Sequence, residues 1–201
     1  MIAEQIVFLP GVNGLGEFWS PVAAAMTNPS SKVLLDLPGL GHAPAEHGIN
    51  SFDDLLAMVL MKIDRPTALV AQSMGGVIAM RAALANPSLV THLVLAATSG
   101  GVDITGLGGT DWKPSFRANH PHAPLWSYEP VADLSASLPD MRVPTLLVWA
   151  ARDTVSPLAV GEHLRSLLPD ARLVSYDSED HWVAQSRAGE VASEIDAHLA
   201  R

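Results

Sequence analysis

Ser73 stands in the run Thr67-Ala-Leu-Val-Ala-Gln-Ser-Met-Gly-Gly76, where residue types and spacing suit a catalytic nucleophile. An apolar, strand-like stretch ends at this serine, and a helical pattern follows it at once. A chain that turns this sharply crowds its own backbone, so the residues two places either side must be small, as Ala71 and Gly75 are. The turn sets the hydroxyl above the positive end of the helix. The alternative is an ordinary strand-to-helix turn whose serine caps the helix.

The elements that must position this serine alternate between strand-like runs and helical patterns, which predicts a parallel sheet covered by helices. Ser51–Asp54 resembles a capping box, and Met74–Ala85 is the predicted helix after the serine. Ser156 and Pro157 are predicted to begin a helix that runs to Leu168. Six strands are predicted: Gln5–Leu9, Lys32–Asp36, Thr67–Ala71, His92–Ala97, Thr145–Trp149 and Arg172–Tyr176.

The stretch from Gly100 to Pro144 breaks this alternation, because it has no clean strand and six prolines fall between residues 114 and 144. A loop of that length is functional or wrongly assigned. We predict a short cap over residues 101–143 within a single domain spanning residues 1–201. The alternative is an irregular crossover whose aromatic side chains complete the core. Those side chains are Trp112, Phe116, Trp126 and Tyr128.

Composition excludes several classes of function. The formal charge of −9 disfavours binding to a phosphate backbone, so no nucleic-acid partner is expected. The chain contains no cysteine, which excludes disulfides and thiolate metal sites. No apolar run approaches the ~20 residues of a membrane span, and the first residues lack the basic region of a signal peptide. We therefore expect a cytoplasmic protein without a membrane partner. The sequence does not indicate an oligomeric state.

Several loops that follow the predicted strands have sequences typical of one protein superfamily, and they occur in the expected order along the chain. Phe8-Leu-Pro-Gly-Val-Asn-Gly14 is similar to an oxyanion loop with Pro10 in place of the usual histidine. Further loops occupy residues 36–42, 148–157 and 180–182. Together with the turn at Ser73, they resemble the α/β-hydrolase superfamily over nearly the whole chain. The resemblance implies an α/β fold with a six-stranded, mainly parallel sheet of order 2-1-3-4-5-6, flanked by helices. The N-terminal hairpin of many relatives is expected to be missing.

This resemblance places a catalytic triad on Ser73, Asp153 and His181, in the chain order expected for the fold. A serine hydroxyl needs a base, and the unperturbed pKa of histidine, ~6.5, suits that role. A carboxylate should then hold the ring and its tautomer, which is the role expected for Asp153. The backbone N–H groups of Val12 and Met74 are the expected oxyanion-hole donors.

Other titratable residues compete for these roles. Asp103 follows the fourth predicted strand and is the alternative triad acid. Asp180 is expected to be a solvated loop charge. His42, His120 and His122 are expected in exposed loops or at the pocket mouth. Because His120 and His122 lack a third ligand, we predict no metal site.

The resemblance implies a serine hydrolase that cleaves an ester, thioester or related acyl bond through an acyl-enzyme. A small hydrophobic molecule is the expected substrate, and no cofactor is expected. Two alternatives stay open. The same triad could serve carbon–carbon bond hydrolysis, lyase or cofactorless peroxidase-type chemistry, or the protein could bind a ligand without catalysis. The expected pocket walls are Leu15, Trp19, Trp112, Phe116, Trp126 and Trp182.

Overall fold

A computed structural model describes residues 2–201, which build one parallel β-sheet with helices on both faces. Within these residues the sheet has six strands in the order β2-β1-β3-β4-β5-β6, and every neighbouring pair is parallel. The predicted fold class and strand order are confirmed. The strands are β1 Gln5–Leu9, β2 Ser31–Leu34, β3 Thr67–Gln72, β4 Val90–Ala96, β5 Thr145–Ala150 and β6 Ala171–Tyr176.

Two hydrophobic layers hold the helices against the sheet. Along β1, Val7 and Leu9 pack into one layer while Ile6 and Phe8 pack into the other, as alternating side chains of a strand must. Both faces are therefore buried, which explains the continuous apolar strands of the sequence. The helices are α1 Ser20–Ala25, α2 Phe52–Leu60, α3 Met74–Ala85, α4 Lys113–Asn119, α5 Leu158–Leu167, α6 Val183–Ser186 and α7 Ala188–Leu199.

The end of β2 differs from its prediction, which placed the strand over Lys32–Asp36. The strand ends at Leu34, and the Asp36 carboxylate accepts a hydrogen bond from the Gly16 N–H at 2.7 Å. This bond draws the chain away from the sheet edge into a loop. All six strands match their predictions to within two residues at each end.

The helix starts illustrate one success and one error. The Ser51 hydroxyl accepts the Asp54 N–H at 3.1 Å, which confirms the predicted cap of α2. The predicted cap at Ser156 is wrong, since α5 begins at Leu158 and its N-terminus has no side-chain cap. The Ser156 N–H donates instead to Asp153, at 3.0 Å. The loop of residues 148–157 that carries Asp153, the acid loop, therefore uses a backbone N–H that would otherwise lie at the start of the helix.

The segment between β4 and β5 contains α4 and two 3₁₀ turns, Leu125–Tyr128 and Ser135–Asp140, and no strand lies within it. Trp126 is fully enclosed and packs edge-on against Phe52 of α2, with ring centroids 6.5 Å apart. This aromatic ring ties the segment to the core. Among residues 2–201, no helix combines the length and apolar character needed to cross a bilayer.

Candidate active site

Ser73 occupies a strained turn between β3 and α3. Its backbone has φ 51° and ψ −121°, a conformation rare for any residue other than glycine. Gly75 is required two places later because a Cβ there would meet the carbonyl oxygens of Leu9 and Pro10. The Ser73 side chain makes no capping hydrogen bond to α3. The hydroxyl is therefore presented away from the helix, which disfavours the interpretation of this serine as a simple cap.

His181 bridges Ser73 and Asp153. Its Nδ1 lies 2.7 Å from Asp153 Oδ2, and its Nε2 lies 3.3 Å from Ser73 Oγ. An ionised carboxylate only accepts hydrogen bonds, so Nδ1 carries the proton and Nε2 is free to accept one from the serine hydroxyl. Three side chains from separate loops thus converge in the order that nucleophilic catalysis requires.

The Asp153 carboxylate is held by its own loop. Its side chain has no solvent exposure, and Oδ1 accepts the N–H groups of Val155 at 2.7 Å and Ser156 at 3.0 Å. These bonds fix the plane of the carboxylate and leave Oδ2 for His181. The Ser156 carbonyl in turn accepts the Trp149 Nε1–H at 2.9 Å. The acid loop is therefore anchored in the buried core beneath it.

Two backbone N–H groups near the turn at Ser73 make no hydrogen bond within the described residues. Within residues 2–201, neither the Val12 N–H nor the Met74 N–H has a hydrogen-bond acceptor. Met74 is the first residue of α3, where helix N–H groups lack intrahelical partners. Val12 lies in a turn closed by the Gly14 N–H, which donates to the Gly11 carbonyl at 2.9 Å. A Cβ at Gly11 would come within 3.1 Å of Ser73 Cβ, so this turn lies directly against Ser73.

A cavity of about 680 Å³ opens beside Ser73 and His181, within the usual size range of small-molecule sites. Ser73, Met74 and His181 border it, and the segment between β4 and β5 supplies more than half of its wall. Apolar and polar side chains are mixed in this wall. The apolar ones include Phe52, Val77, Val102, Ile104 and Trp112, and the polar ones include Thr98, Asp103, Lys113, Glu129 and Asp133.

The predicted pocket walls need correction, because of the six expected residues only Trp112 borders this cavity within residues 2–201. Trp19 has no exposure and donates its indole N–H to the Leu9 carbonyl at 2.9 Å. Trp126 is 2% exposed and packs in the core. Aromatic composition alone does not distinguish a pocket wall from the core beneath it.

The other three expected wall residues also lie elsewhere. Trp182 is 54% exposed on the surface beside His181. Phe116 stacks on the ring of His120, with centroids 4.3 Å apart. Leu15 packs against the loop at Gly41. Small and β-branched residues that follow β4, such as Thr98 and Val102, line the cavity and were not predicted from the sequence, although their place at the carboxyl end of a central strand was a usable signal.

The competing candidates are separated by geometry. Asp103 is exposed on the cavity rim and accepts the Thr105 N–H at 2.8 Å, whereas the carboxylate that contacts His181 is Asp153. Hydrogen bonds from Thr105 hold the pKa of Asp103 below its usual range. His120 and His122 are exposed, and residues 2–201 contain no group of three side chains suited to a metal ion.

Comparison with known proteins gives the family. A family model described as "Serine aminopeptidase, S33" matches residues 2–118, which is more than half of the chain. The chain belongs to the α/β-hydrolase superfamily. A second model of the superfamily, described as "TAP-like protein", matches residues 115–201. The two matches together cover the loops that carry Ser73, Asp153 and His181.

Similar proteins align with this chain over only part of their own length. A pimeloyl-(acyl-carrier protein) methyl ester esterase of Aliivibrio salmonicida is 33% identical over 96 residues, which is 48% of this chain and 36% of that protein. "Polyketide synthase ThaQ" of Burkholderia thailandensis is 28% identical over 89% of this chain and 11% of its own length. The chain therefore spans about a third or less of these relatives.

Solved structures of other α/β-hydrolases superpose over nearly the whole chain. A hydrolase from Pseudomonas aeruginosa PA01 gives a TM-score of 0.81 at 20% identity, covering 99% of this chain and 91% of that one. The enol-lactonase from Burkholderia xenovorans LB400 gives 0.79 at 21% identity, covering 99% and 92%. At this level of identity the likeness establishes the fold.

Proposed function

We propose that the protein is a serine hydrolase that cleaves an ester, thioester or related acyl bond of a small substrate through an acyl-enzyme. One observation carries this proposal: His181 contacts both Asp153 and Ser73 at the edge of a substrate-sized cavity. A ligand-binding module has no need of a base on a serine hydroxyl or of a buried carboxylate on that base. The geometry therefore favours catalysis over simple binding.

In the first half of the reaction, Ser73 Oγ attacks the carbonyl carbon while His181 Nε2 takes the hydroxyl proton. The negative charge that develops on the carbonyl oxygen is stabilised by the N–H groups of Val12 and Met74. Asp153 stabilises the imidazolium that forms and keeps the ring in its working orientation. His181 then gives the proton to the departing alkoxide or thiolate, which leaves as the alcohol or thiol.

In the second half, water attacks the acyl-serine bond. His181 accepts a proton from that water and returns it to Ser73 Oγ as the carboxylic acid departs. The cycle consumes one water and needs no group beyond the residues of this chain. The same donors at Val12 and Met74 stabilise the second tetrahedral intermediate, so one constellation serves both steps.

The cavity wall and the relatives support a small acyl substrate. Apolar side chains on α2, on α3 and after β4 provide a surface for a short hydrophobic acyl chain. One similar protein is named as a methyl ester esterase and another as an enol-lactonase. Both names describe enzymes that act on ester bonds. Carboxylic ester hydrolysis is therefore the reaction class we infer for this chain.

A panel of p-nitrophenyl esters of increasing acyl length tests the proposal. Ser73→Ala should lower kcat/KM by about 10⁴-fold or more, because serine, histidine and aspartate act as a unit. Ser193→Ala is the matched control, since that hydroxyl only bonds to the Gly189 carbonyl within α7, at 3.0 Å. Equal turnover by wild type and Ser73→Ala would contradict the proposal. An acyl-serine trapped by mass spectrometry would separate it from carbon–carbon or lyase chemistry.

A further inference from the structure

Thr98 contacts the nucleophile's backbone and has no place in the mechanism above. It lies two residues beyond β4, is 1% exposed, and its Oγ1 donates to the Ser73 carbonyl at 2.5 Å. The same Oγ1 accepts the Gly100 N–H at 3.0 Å. A threonine hydroxyl has a single proton, so the bond from Gly100 leaves that proton directed at Ser73.

The end of β4 holds the nucleophile's turn on both sides. The Ser73 N–H donates to the Ala96 carbonyl at 2.9 Å, and Thr98 binds the Ser73 carbonyl. Ser73 and Ala97 are the two non-glycine residues with positive φ in the described part of the chain, at 51° and 45°. Such conformations persist where the surroundings over-determine them. The strained bend at Ala97 brings the Thr98 hydroxyl to Ser73, and the hydroxyl in turn holds the strained bend at Ser73.

The Ser73 carbonyl and the Met74 N–H belong to one peptide group. Because that group is planar, fixing the direction of the carbonyl fixes the direction of the N–H on its opposite side. A hydrogen bond donated to the carbonyl also polarises the peptide and strengthens the N–H as a donor. We propose that Thr98 is a positioning residue that orients the Met74 oxyanion donor through the Ser73 carbonyl. This inference rests on the proposed function and deepens it.

Gly76 gives independent support from packing. A Cβ at this position would lie 2.5 Å from Thr98 Oγ1 and 2.6 Å from Thr98 Cγ2. Real Cβ atoms do not approach side chains so closely, so the second glycine after the serine makes room for the threonine. Gly76→Ala should therefore displace the Thr98 hydroxyl while leaving it chemically intact.

The test compares Thr98→Val, which keeps the shape but loses the hydroxyl, with Thr98→Ser, which keeps the hydroxyl. Thr98→Val should lower kcat by about 10- to 100-fold with little change in KM, because the lost orientation matters only when the oxyanion forms. It should weaken inhibition by a trifluoromethyl ketone, which mimics the tetrahedral intermediate, by a similar factor. Thr98→Ser should restore both values to near those of the wild type, and Gly76→Ala should resemble Thr98→Val.

Thr145→Val controls for general destabilisation. Thr145 has no exposure, and its hydroxyl donates to the Val143 carbonyl at 3.0 Å, at the end of β5 remote from the triad. It should lose comparable stability in urea and keep the wild-type kcat. If the wild type hydrolyses esters and Thr98→Val has the same kcat and the same inhibitor affinity, this inference alone is overturned. A wild type that hydrolyses no ester would overturn it together with the proposed function.

Discussion

Replacing Asp153 by asparagine tests the orientation of His181 in the triad. Oδ1 of Asp153 accepts two backbone N–H groups, from Val155 and Ser156. In Asp153→Asn the carbonyl oxygen must occupy that position, since an amide nitrogen there would face two donors. The NH₂ group then points at His181 Nδ1, where the carboxylate oxygen Oδ2 was.

This arrangement forces His181 into the wrong tautomer. Nδ1 must accept from the new amide, so Nε2 carries the proton and is unable to take one from Ser73. Loss of the base should lower kcat by about 10⁴-fold, which corresponds to about 5 kcal/mol of transition-state stabilisation. The hydrogen bonds from Val155 and Ser156 survive, so the urea midpoint of unfolding should change little.

The assay is p-nitrophenyl ester turnover under single-turnover and steady-state conditions. Asp180→Asn is the matched control, because Asp180 precedes His181 in the chain and its carboxylate bonds only to the Trp182 N–H, at 2.8 Å. That variant should retain wild-type kcat. Activity in Asp153→Asn within tenfold of the wild type, or a large loss in Asp103→Asn alone, would refute the assignment of the triad acid.

Two further predictions concern the pocket and the core. Trp19→Phe should lower the free energy of unfolding in urea by about 1–3 kcal/mol, because it removes the hydrogen bond to the Leu9 carbonyl and some buried volume, and kcat should be unchanged. Trp112→Ala should instead change the dependence of kcat/KM on acyl length. The reverse pattern would contradict the placement of these side chains. Burial, followed by the charge of neighbouring His92, lowers the pKa of His198 to about 4, so folding favours its neutral form. The free energy of unfolding of the wild type should therefore fall by up to about 3 kcal/mol as pH drops from about 6.5 towards 4. His198→Gln should lack that part of the loss. Parallel pH dependences of the free energy of unfolding in the two proteins would contradict this prediction.

The fold was predictable because each strand is short, apolar and bounded by a loop of recognisable type. The turn at Ser73 was also predictable from the sequence, because a turn this sharp requires small neighbouring residues. The end of β2 was predicted two residues too late because the bond from Gly16 to Asp36 joins residues 20 apart in sequence. Long-range bonds of this kind leave no local pattern.

The pocket wall was the least predictable part of the site. Trp19 and Trp126 are as apolar as any pocket residue, but tertiary packing places both in the core. Whether an aromatic side chain faces a cavity depends on the path of the segment between β4 and β5, which has no periodic pattern. Thr98, by contrast, borders the cavity but was not predicted to do so. Its proposed role depends on the strained bend at Ala97, which the sequence does not reveal.

The parallel order of the strands explains why three distant side chains meet. Ser73, Asp153 and His181 each lie after the carboxyl end of a strand, β3, β5 and β6, and these ends share one edge of the sheet. Ligand sites of open α/β sheets form at this edge. The sheet itself therefore sets the coarse spacing of the site, and the loops set the final distances.

The most direct test of the central claim is covalent labelling of the wild-type protein with a p-nitrophenyl phosphonate, followed by intact-mass measurement and peptide mapping. The account predicts one equivalent of label on Ser73, with labelling slowed by several orders of magnitude in Asp153→Asn. Label on another residue, or none on a protein that hydrolyses esters, would contradict it.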